Sequence, residues 1–217
     1  MKKNIDLFKD KLILDLGCGS GNNCFEINYY TKTKQSIGVD INQELIEYAS
    51  QQAEELELSQ IINFYHEDIL SFKKNEKYDV IILFDILEHI NDPSQIFRFI
   101  QKNISEQGIV LVSVPTYLYK KMFGIKFHNY VGHVKDGYSF EEISDLFKHY
   151  GFYVYYYKYN TGLFANLGCA LYYRFDLRNK YLILLKQLIF YPFSYLDFFN
   201  NKYLSCSIFI VFKPIKT

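Results

Sequence analysis

A glycine-rich segment near the start of the chain has the composition of a turn that binds a nucleotide. An acid, Asp15, lies near the end of a short apolar run, residues 11–16, and three glycines follow at alternate positions from Gly17. Glycine has no Cβ atom and tolerates positive φ, so its backbone can turn sharply and approach a ligand. A second acid, Asp40, ends the next apolar run and could accept hydrogen bonds from two ribose hydroxyls. This spacing predicts a site for a nucleotide-containing cofactor.

A second group of reactive side chains follows the most continuous apolar run, residues 78–84. If the segment after this run is helical, Asp85, Glu88 and His89 share one face, because positions i, i+3 and i+4 are neighbours. Two carboxylates and an imidazole on one face can hold a divalent cation. His133 is a candidate fourth ligand or general base. The alternatives are packing against the cofactor or helix capping for the pair Glu88 and His89, and a backbone contact in a loop for His133.

The elements that must position these groups alternate between strands and helices. Strands are predicted at residues 11–16, 36–40, 61–65, 78–84 and 108–114, and helices at residues 22–30, 42–56, 93–103 and 139–149. Asn42 is the expected N-cap of the second helix, and Ser139 with Glu142 has the spacing of a capping box. This alternation indicates an α/β fold with a doubly wound, mostly parallel sheet.

The composition fits one domain over residues 1–217. Apolar residues make up 49% of the chain, enough for a sizeable core, and the formal net charge is zero, so no nucleic-acid partner is expected. The four cysteines lack CxxC spacing, which is typical of reduced thiols in a cytoplasmic protein. No signal peptide is indicated, and no apolar stretch reaches the roughly 18 residues of a spanning helix.

Two further regions carry predictions of their own. Residues 115–137 lack clear periodicity and are expected to form a loop or lid over the site. Residues 152–159 and 204–213 are prone to form strands, and residues 160–203 between them form a basic, aromatic insertion. This insertion could contact the inner face of a membrane peripherally, cover an apolar substrate, form a homodimer surface, or pack on the core as an extra helix.

The order of the motifs resembles that of the class I S-adenosylmethionine-dependent methyltransferases. The segments that carry the resemblance are DLGCGSG, GVDI, HEDI, YDVIILFDILEHINDP and GIVLVSVP, which together span roughly residues 10–152. The resemblance implies a Rossmann-like sheet of seven strands, with the last strand antiparallel and inserted as a hairpin. The insertion 160–203 would then replace a connection that is usually short.

The resemblance also implies which residues bind S-adenosylmethionine. The implied set is Asp15, Gly17, Gly19, Ser20, Asp40, Ile41, Asp68, Ile69 and Phe84. The residues of the glycine turn would line the methionine part of the cofactor. Asp40 would hold the ribose, with Ile41 against the adenine. Asp68 and Ile69 would meet the adenine edge, and Phe84 would present its backbone near the sulfonium.

The acid and histidine segment is similar to the metal motif of the ubiquinone-pathway and small-RNA 2′-O-methyltransferases, with Asp85 in place of their first glutamate. This likeness implies that the methyl group goes to a hydroxyl oxygen and that a divalent cation lowers the pKa of this hydroxyl. The implied ligands of the cation are Asp85, Glu88, His89 and His133. His133 and His89 are the catalytic candidates. The expected acceptor is a small molecule, a sugar or a lipid-linked compound. The alternatives are an NAD-dependent dehydrogenase of related fold and a non-catalytic cofactor-binding scaffold.

Overall fold

Seven strands and five helices make up the described fold, in a computed structural model that describes residues 7–74, 76–160, 162, 197 and 202–215. The strands are β1 (Leu12–Leu16), β2 (Gln35–Asp40), β3 (Ile62–His66), β4 (Tyr78–Phe84), β5 (Ile104–Pro115), β6 (Phe152–Asn160) and β7 (Ser207–Pro214). The helices are α1 (Asn22–Tyr30), α2 (Gln43–Glu55), α3 (Ser94–Asn103), α4 (Tyr117–Tyr130) and α5 (Phe140–His149). The predicted strand and helix positions are therefore confirmed, with shifts at some ends.

One sheet contains all seven strands in the order β3-β2-β1-β4-β5-β7-β6. The pairs among β1 to β5 are parallel, whereas β7 runs antiparallel to both β5 and β6. The predicted doubly wound α/β sheet with an antiparallel last strand is confirmed. The carboxyl ends of the neighbouring strands β1, β2, β4 and β5 consequently meet at one edge of the sheet, where ligands of such sheets bind.

The central strand β4 is buried on both faces, as its continuous apolar run predicts. Ile81 and Leu83 point into the larger core cluster, and Val80 and Ile82 point into a second cluster on the opposite face. The larger cluster also holds Phe147 of α5, whose ring stacks on Phe212 of β7 at 3.8 Å between centroids. Helices therefore cover the sheet on both sides and fix the positions of its strand ends.

Local sequence signals set the helix ends. Asn42 caps α2, since its side chain accepts a hydrogen bond from the Leu45 N–H (3.1 Å). Ser139 and Glu142 form the predicted capping box, in which each side chain accepts from the backbone N–H of the other (3.1 and 2.7 Å). Gly151 follows α5 with φ of 83°, which a glycine adopts without strain.

Residues 115–137 differ from the predicted loop. Most of them form α4, which is broken at Gly124, where φ is 81° and ψ is 165°. The break turns the second half of the helix onto a new axis, so no single helical period runs through the segment and the sequence pattern misses it. A covering role for this region stays a prediction. The predicted insertion, 160–203, lies almost entirely outside the described residues.

No helix within the described ranges is long and apolar enough to cross a membrane. Cys18, Cys24 and Cys206 are free, buried thiols, in agreement with the prediction of reduced cysteines.

The capping box of α5 yields a stability prediction. Ser139→Ala removes the acceptor for the Glu142 N–H and should lower the free energy of unfolding by about 1 kcal/mol, measured by urea denaturation. Ser144→Ala is the matched control in the same helix, because its buried hydroxyl has no hydrogen-bond partner. This control should leave the stability unchanged or raise it slightly. Equal losses in the two variants would contradict the capping role of Ser139.

Candidate functional site

The glycine turn after β1 folds back onto the end of β2. Gly17, Gly19 and Gly21 have φ values of 76°, 52° and 79°, all in the left-handed region that disfavours side chains. The Gly17 and Cys18 N–H groups both donate to the Val39 carbonyl, at 2.7 and 3.1 Å. The Ile86 side chain packs against Gly17 in the space that a Cβ atom would need. Glycine is therefore required at Gly17 both by conformation and by space.

Asp40 is the anchor between this turn and the end of β2. Its Oδ2 atom accepts from the Gly19 N–H, and its Oδ1 atom accepts from the Asn42 N–H, both at 2.8 Å. Each carboxylate oxygen keeps a further lone pair for a ligand hydroxyl. The structure thus places Asp40 where the sequence predicts it, beside the turn, with its orientation fixed by two backbone groups.

Asp15 is buried beneath the turn, with 1% of its surface exposed. Its Oδ2 atom accepts from the Asn23 side-chain amide (3.2 Å), and its Oδ1 atom has no partner. Burial raises the pKa of this carboxyl from 3.8 to about 7. A buried oxygen without a partner suits a cationic ligand group. Asn23, in the first turn of α1, is missed by the sequence analysis, although a polar residue just after a glycine turn is a signal for it.

The predicted adenine side is more open. Ile41 follows β2 and is 69% exposed, so it offers an apolar surface at the strand end. The His66 Nε2 atom lies 3.1 Å from the Ile41 carbonyl oxygen, which joins the ends of β2 and β3. Asp68 is exposed and closes its own turn by accepting from the Leu70 N–H (2.9 Å). Ser20, Ile69 and Phe84 are half-buried near the same edge, and their cofactor contacts stay predictions.

The segment after β4 does not form the helix on which a shared face of Asp85, Glu88 and His89 would depend. Only Leu87–His89 forms a 3-10 turn, and Asp85 has φ of 54°. The Asp85 N–H donates to the Ser113 carbonyl (2.9 Å), so the backbone is still tied to β5 at the residue where the helix was expected to begin. The prediction that Asp85, Glu88 and His89 share one helical face is therefore wrong.

Tertiary contacts nevertheless bring three of the four predicted metal ligands together. The ligand atoms of Glu88, His89 and His133 all lie within 4.8 Å of one another. The His133 Nε2 atom is 3.9 Å from the Glu88 Oε1 atom, and the rings of His89 and His133 meet edge to face at 4.8 Å. The Val134 and Lys135 N–H groups donate to the Glu88 carbonyl and hold this loop in place. Asp85 is not a member of this cluster.

The ionisation of the cluster follows from its burial. Burial, followed by repulsion from Asp85, raises the pKa of Glu88 to about 8. Burial, followed by the neighbouring rings of His89 and His128, lowers the pKa of His133 to about 4. The Glu88 Oε2 and His133 Nδ1 atoms are buried without hydrogen-bond partners. The His89 Nδ1 atom lies 3.1 Å from the Gly132 carbonyl oxygen. One carboxylate and two imidazoles this close together fit a divalent cation.

A pocket of about 180 Å³ opens beside this cluster. Its lining residues are Asp85, Glu88, Pro115, Tyr119, His133, Cys206 and Ser207. The Asp85 Oδ1 atom accepts a hydrogen bond from the Ser113 hydroxyl (3.2 Å). Desolvation by the surrounding protein raises the pKa of Asp85, and this hydrogen bond opposes the shift. The Tyr119 ring stacks on the His133 ring at 5.4 Å.

Four of these lining residues are not among the predicted site residues: Pro115, Tyr119, Cys206 and Ser207. Tyr119 lies in the region without periodicity, so only its aromatic character marked it. Cys206 and Ser207 reach the pocket through the long-range pairing of β7 with β5, for which the local sequence holds no signal.

Comparison with known proteins gives a family and a fold. A family model described as a methyltransferase domain matches residues 7–151. The ubiquinone biosynthesis O-methyltransferase of Coxiella burnetii is 33% identical over 92 residues, which cover 42% of this chain and 37% of the relative. The matched segment thus spans well under half of that relative's length.

Two solved structures share the fold at low identity. A SAM-dependent methyltransferase from Thiobacillus denitrificans, in complex with S-adenosyl-L-homocysteine, is 16% identical, with a TM-score of 0.62 and coverage of 97% of this chain and 87% of that one. The cyclase SpnF is also 16% identical, with a TM-score of 0.68 and coverage of 97% and 78%. A cyclase on the same fold shows that the fold alone does not define the reaction.

The raised pKa of Asp15 predicts how stability depends on pH. The folded state holds this proton more tightly than the unfolded state, so the free energy of unfolding should fall as the pH rises from about 4 to about 7. Asp15→Asn removes the buried charge. It should therefore be more stable than the wild type at pH 8, by roughly 1–3 kcal/mol, and close to it near pH 4, as measured by urea denaturation.

Asp92→Asn is a control of opposite sign. Hydrogen bonds from the Ser94 N–H and hydroxyl lower the pKa of Asp92, so its carboxylate should stabilise the fold above its ordinary pKa. This variant should lose stability at pH 8. An Asp15→Asn variant that is no more stable than the wild type at that pH would show that the buried carboxylate does not lower the free energy of unfolding.

Proposed function

Since this chain belongs to the methyltransferase domain family, we propose that it transfers a methyl group from S-adenosylmethionine to an oxygen of a small-molecule, sugar or lipid-linked acceptor. One observation carries the choice of oxygen. The Glu88, His89 and His133 cluster borders a pocket at the carboxyl ends of β4 and β5, and Ile86 of the same segment packs against Gly17 of the glycine turn. The name of the curated relative, an O-methyltransferase, supports the same choice.

The cofactor supplies an electrophilic methyl group on a sulfonium, which is already a good leaving group, so the protein mainly has to align the reactants. Asp40 would hold the ribose hydroxyls through the lone pairs that Gly19 and Asn42 leave free. The partnerless Oδ1 atom of Asp15 would accept from the ammonium of the methionine part. Ile41 would cover the adenine, and the end of β4 at Phe84 would adjoin the reacting methyl group.

The acceptor hydroxyl has to lose its proton as it attacks. A divalent cation would polarise that hydroxyl and lower its pKa. Glu88, His89 and His133 would hold the ion, and the Glu88 carboxyl would give up its proton on binding it. Without an ion, the neutral ring of His133 is the group that would accept the proton of the acceptor. The two roles of His133 lead to different outcomes in the experiment below.

We also propose a contact for the insertion 160–203. Its basic and aromatic composition supports a peripheral contact with the inner face of a membrane, a cover over an apolar acceptor, or a homodimer surface.

Binding calorimetry tests the cofactor. S-adenosylhomocysteine should bind and NAD should not, which also separates the proposal from the dehydrogenase alternative. Asp40→Ala should weaken S-adenosylhomocysteine binding by at least about tenfold, because hydrogen bonds to a carboxylate contribute roughly 1.5–3 kcal/mol each. Glu55→Ala, at the far end of α2, is the control and should bind normally. Binding of NAD in place of S-adenosylhomocysteine would refute the proposal.

Binding of Mn²⁺ tests the cation. Calorimetry should detect one ion bound per chain, and Glu88→Gln should weaken the affinity by more than about tenfold, since it removes the anionic ligand. Glu141→Gln, an exposed acid outside the cluster, should bind Mn²⁺ as the wild type does. If neither Mn²⁺ nor Zn²⁺ binds the wild type, the cation is excluded and His133 keeps the role of base.

A further inference from the structure

We propose that a second, larger cavity beside the site binds a phosphorylated ring of the acceptor, so that the substrate is recognised in two parts. The inference rests on the proposed function, because it assigns the far end of the molecule whose hydroxyl is methylated. The cavity has a volume of about 310 Å³ and lies where the starts of α4 and α5, the end of β6 and residues 202–203 meet.

Aromatic rings form the walls of this cavity. They belong to Tyr117, Tyr138, Phe140, Tyr159 and Tyr203. The hydroxyl of Tyr117 already donates to the Glu142 carboxylate (2.7 Å), and that of Tyr138 donates to the Leu87 carbonyl (3.1 Å). The Lys135 ammonium covers the Tyr138 ring at 3.8 Å from its centroid, whereas Tyr117 is exposed, so it is Tyr117 whose ring face is open to a ligand. Ring faces suit an aromatic ring or the apolar face of a sugar.

Lysines give the cavity an excess of positive charge. Lys121 and Lys202 line it, against one lining acid, Glu141. The nearby Lys120 is paired with Asp136 (2.6 Å) and Lys135 with Glu142 (4.0 Å), whereas Lys121 has no ion pair with any residue that the structure describes. Two lysines favour a group with more than one negative charge, and a phosphate monoester carries about −1.5 to −2 near neutral pH.

The two cavities share a wall. Pro115 and Tyr119 line the smaller pocket, and Thr116, Tyr117 and Leu118 between them line the larger cavity. Gly137 packs so closely behind this wall that a Cβ atom there would lie 2.5 Å from the Thr116 carbonyl carbon.

Tyr138 links the larger cavity to the cluster of Glu88, His89 and His133. Its ring lines the cavity, and its hydroxyl holds the carbonyl of Leu87, directly before Glu88. A ligand that reaches across the Thr116–Leu118 wall would therefore place its hydroxyl beside Glu88 and His133 while its phosphate lies against the lysines.

The experiment uses three probes on the full chain saturated with S-adenosylhomocysteine: phenyl phosphate, phenol and inorganic phosphate. Calorimetry should show phenyl phosphate binding at least about tenfold more tightly than either fragment, because it alone meets both the rings and the lysines. Lys121→Ala and Lys202→Ala should each weaken phenyl phosphate binding by about fivefold, an effect limited by their exposure. Lys120→Ala, whose partner lies outside the cavity, should leave it unchanged.

Two results would overturn the inference. One is equal affinity for phenyl phosphate and inorganic phosphate, which would leave the rings without a role. The other is an unchanged affinity for phenyl phosphate in both lysine variants. Binding of S-adenosylhomocysteine without binding of phenyl phosphate refutes this inference alone, whereas absence of S-adenosylhomocysteine binding refutes the proposed function itself.

Discussion

The hydrogen bond between Asp40 and the Gly19 N–H sets the geometry on which the rest of the site depends. It holds the turn after β1 against the end of β2, together with the bonds from Gly17 and Cys18 to Val39. The Ile86 side chain packs against the turn and leaves no room for a side chain at Gly17. Because β4 pairs with β1 on the other side, the Glu88 segment is brought beside the same turn. The glycine turn and the cluster of Glu88, His89 and His133 are thus neighbours because of the strand pairing.

Local signals in the sequence account for much of this arrangement. Three features depend on residues within a few positions of one another, so the sequence predicts them. They are the continuous apolar run of β4, the cap at Asn42 and the capping box at Ser139. Asp40 could also be found, because it ends a short apolar run at the edge where strand ends collect. Glu88, His89 and His133 could also be found as neighbours, although Glu88 and His89 lie in a 3-10 turn and not in the helix that the spacing assumed.

Features that depend on distant residues could not be predicted. The left-handed backbone at Asp85 exists because β5 still accepts its N–H at Ser113. The break at Gly124 hides the helix from a search for one period. Cys206 enters the pocket only because β7 lies between β5 and β6. For Asp85 and Cys206 the deciding partner lies far along the chain, and its position follows from sheet order, whereas the break at Gly124 is a local change of backbone conformation.

Both ends of the site keep a buried carboxyl group with an oxygen that has no partner, at Asp15 and at Glu88. An apolar residue at either position would avoid the desolvation that raises their pKa values. The fold thus carries a cost in stability at the two places where a ligand could relieve it, a pattern common at functional sites.

The insertion of β7 between β5 and β6 has a consequence for how the molecule is assembled. Among β1 to β5 the longest pairing joins Ile13 of β1 to Val80 of β4, whereas Ser113 of β5 pairs with Phe209 of β7, which is farther away along the chain. Contacts between distant residues form slowly, because a long loop must close before they contribute. The glycine turn therefore depends on shorter loop closures, whereas the pocket wall at Cys206 and Ser207 depends on the longest loop closure among the described strand pairs. During synthesis, the sheet of β1 to β5 with its glycine turn can therefore form before β7 completes the wall of the pocket.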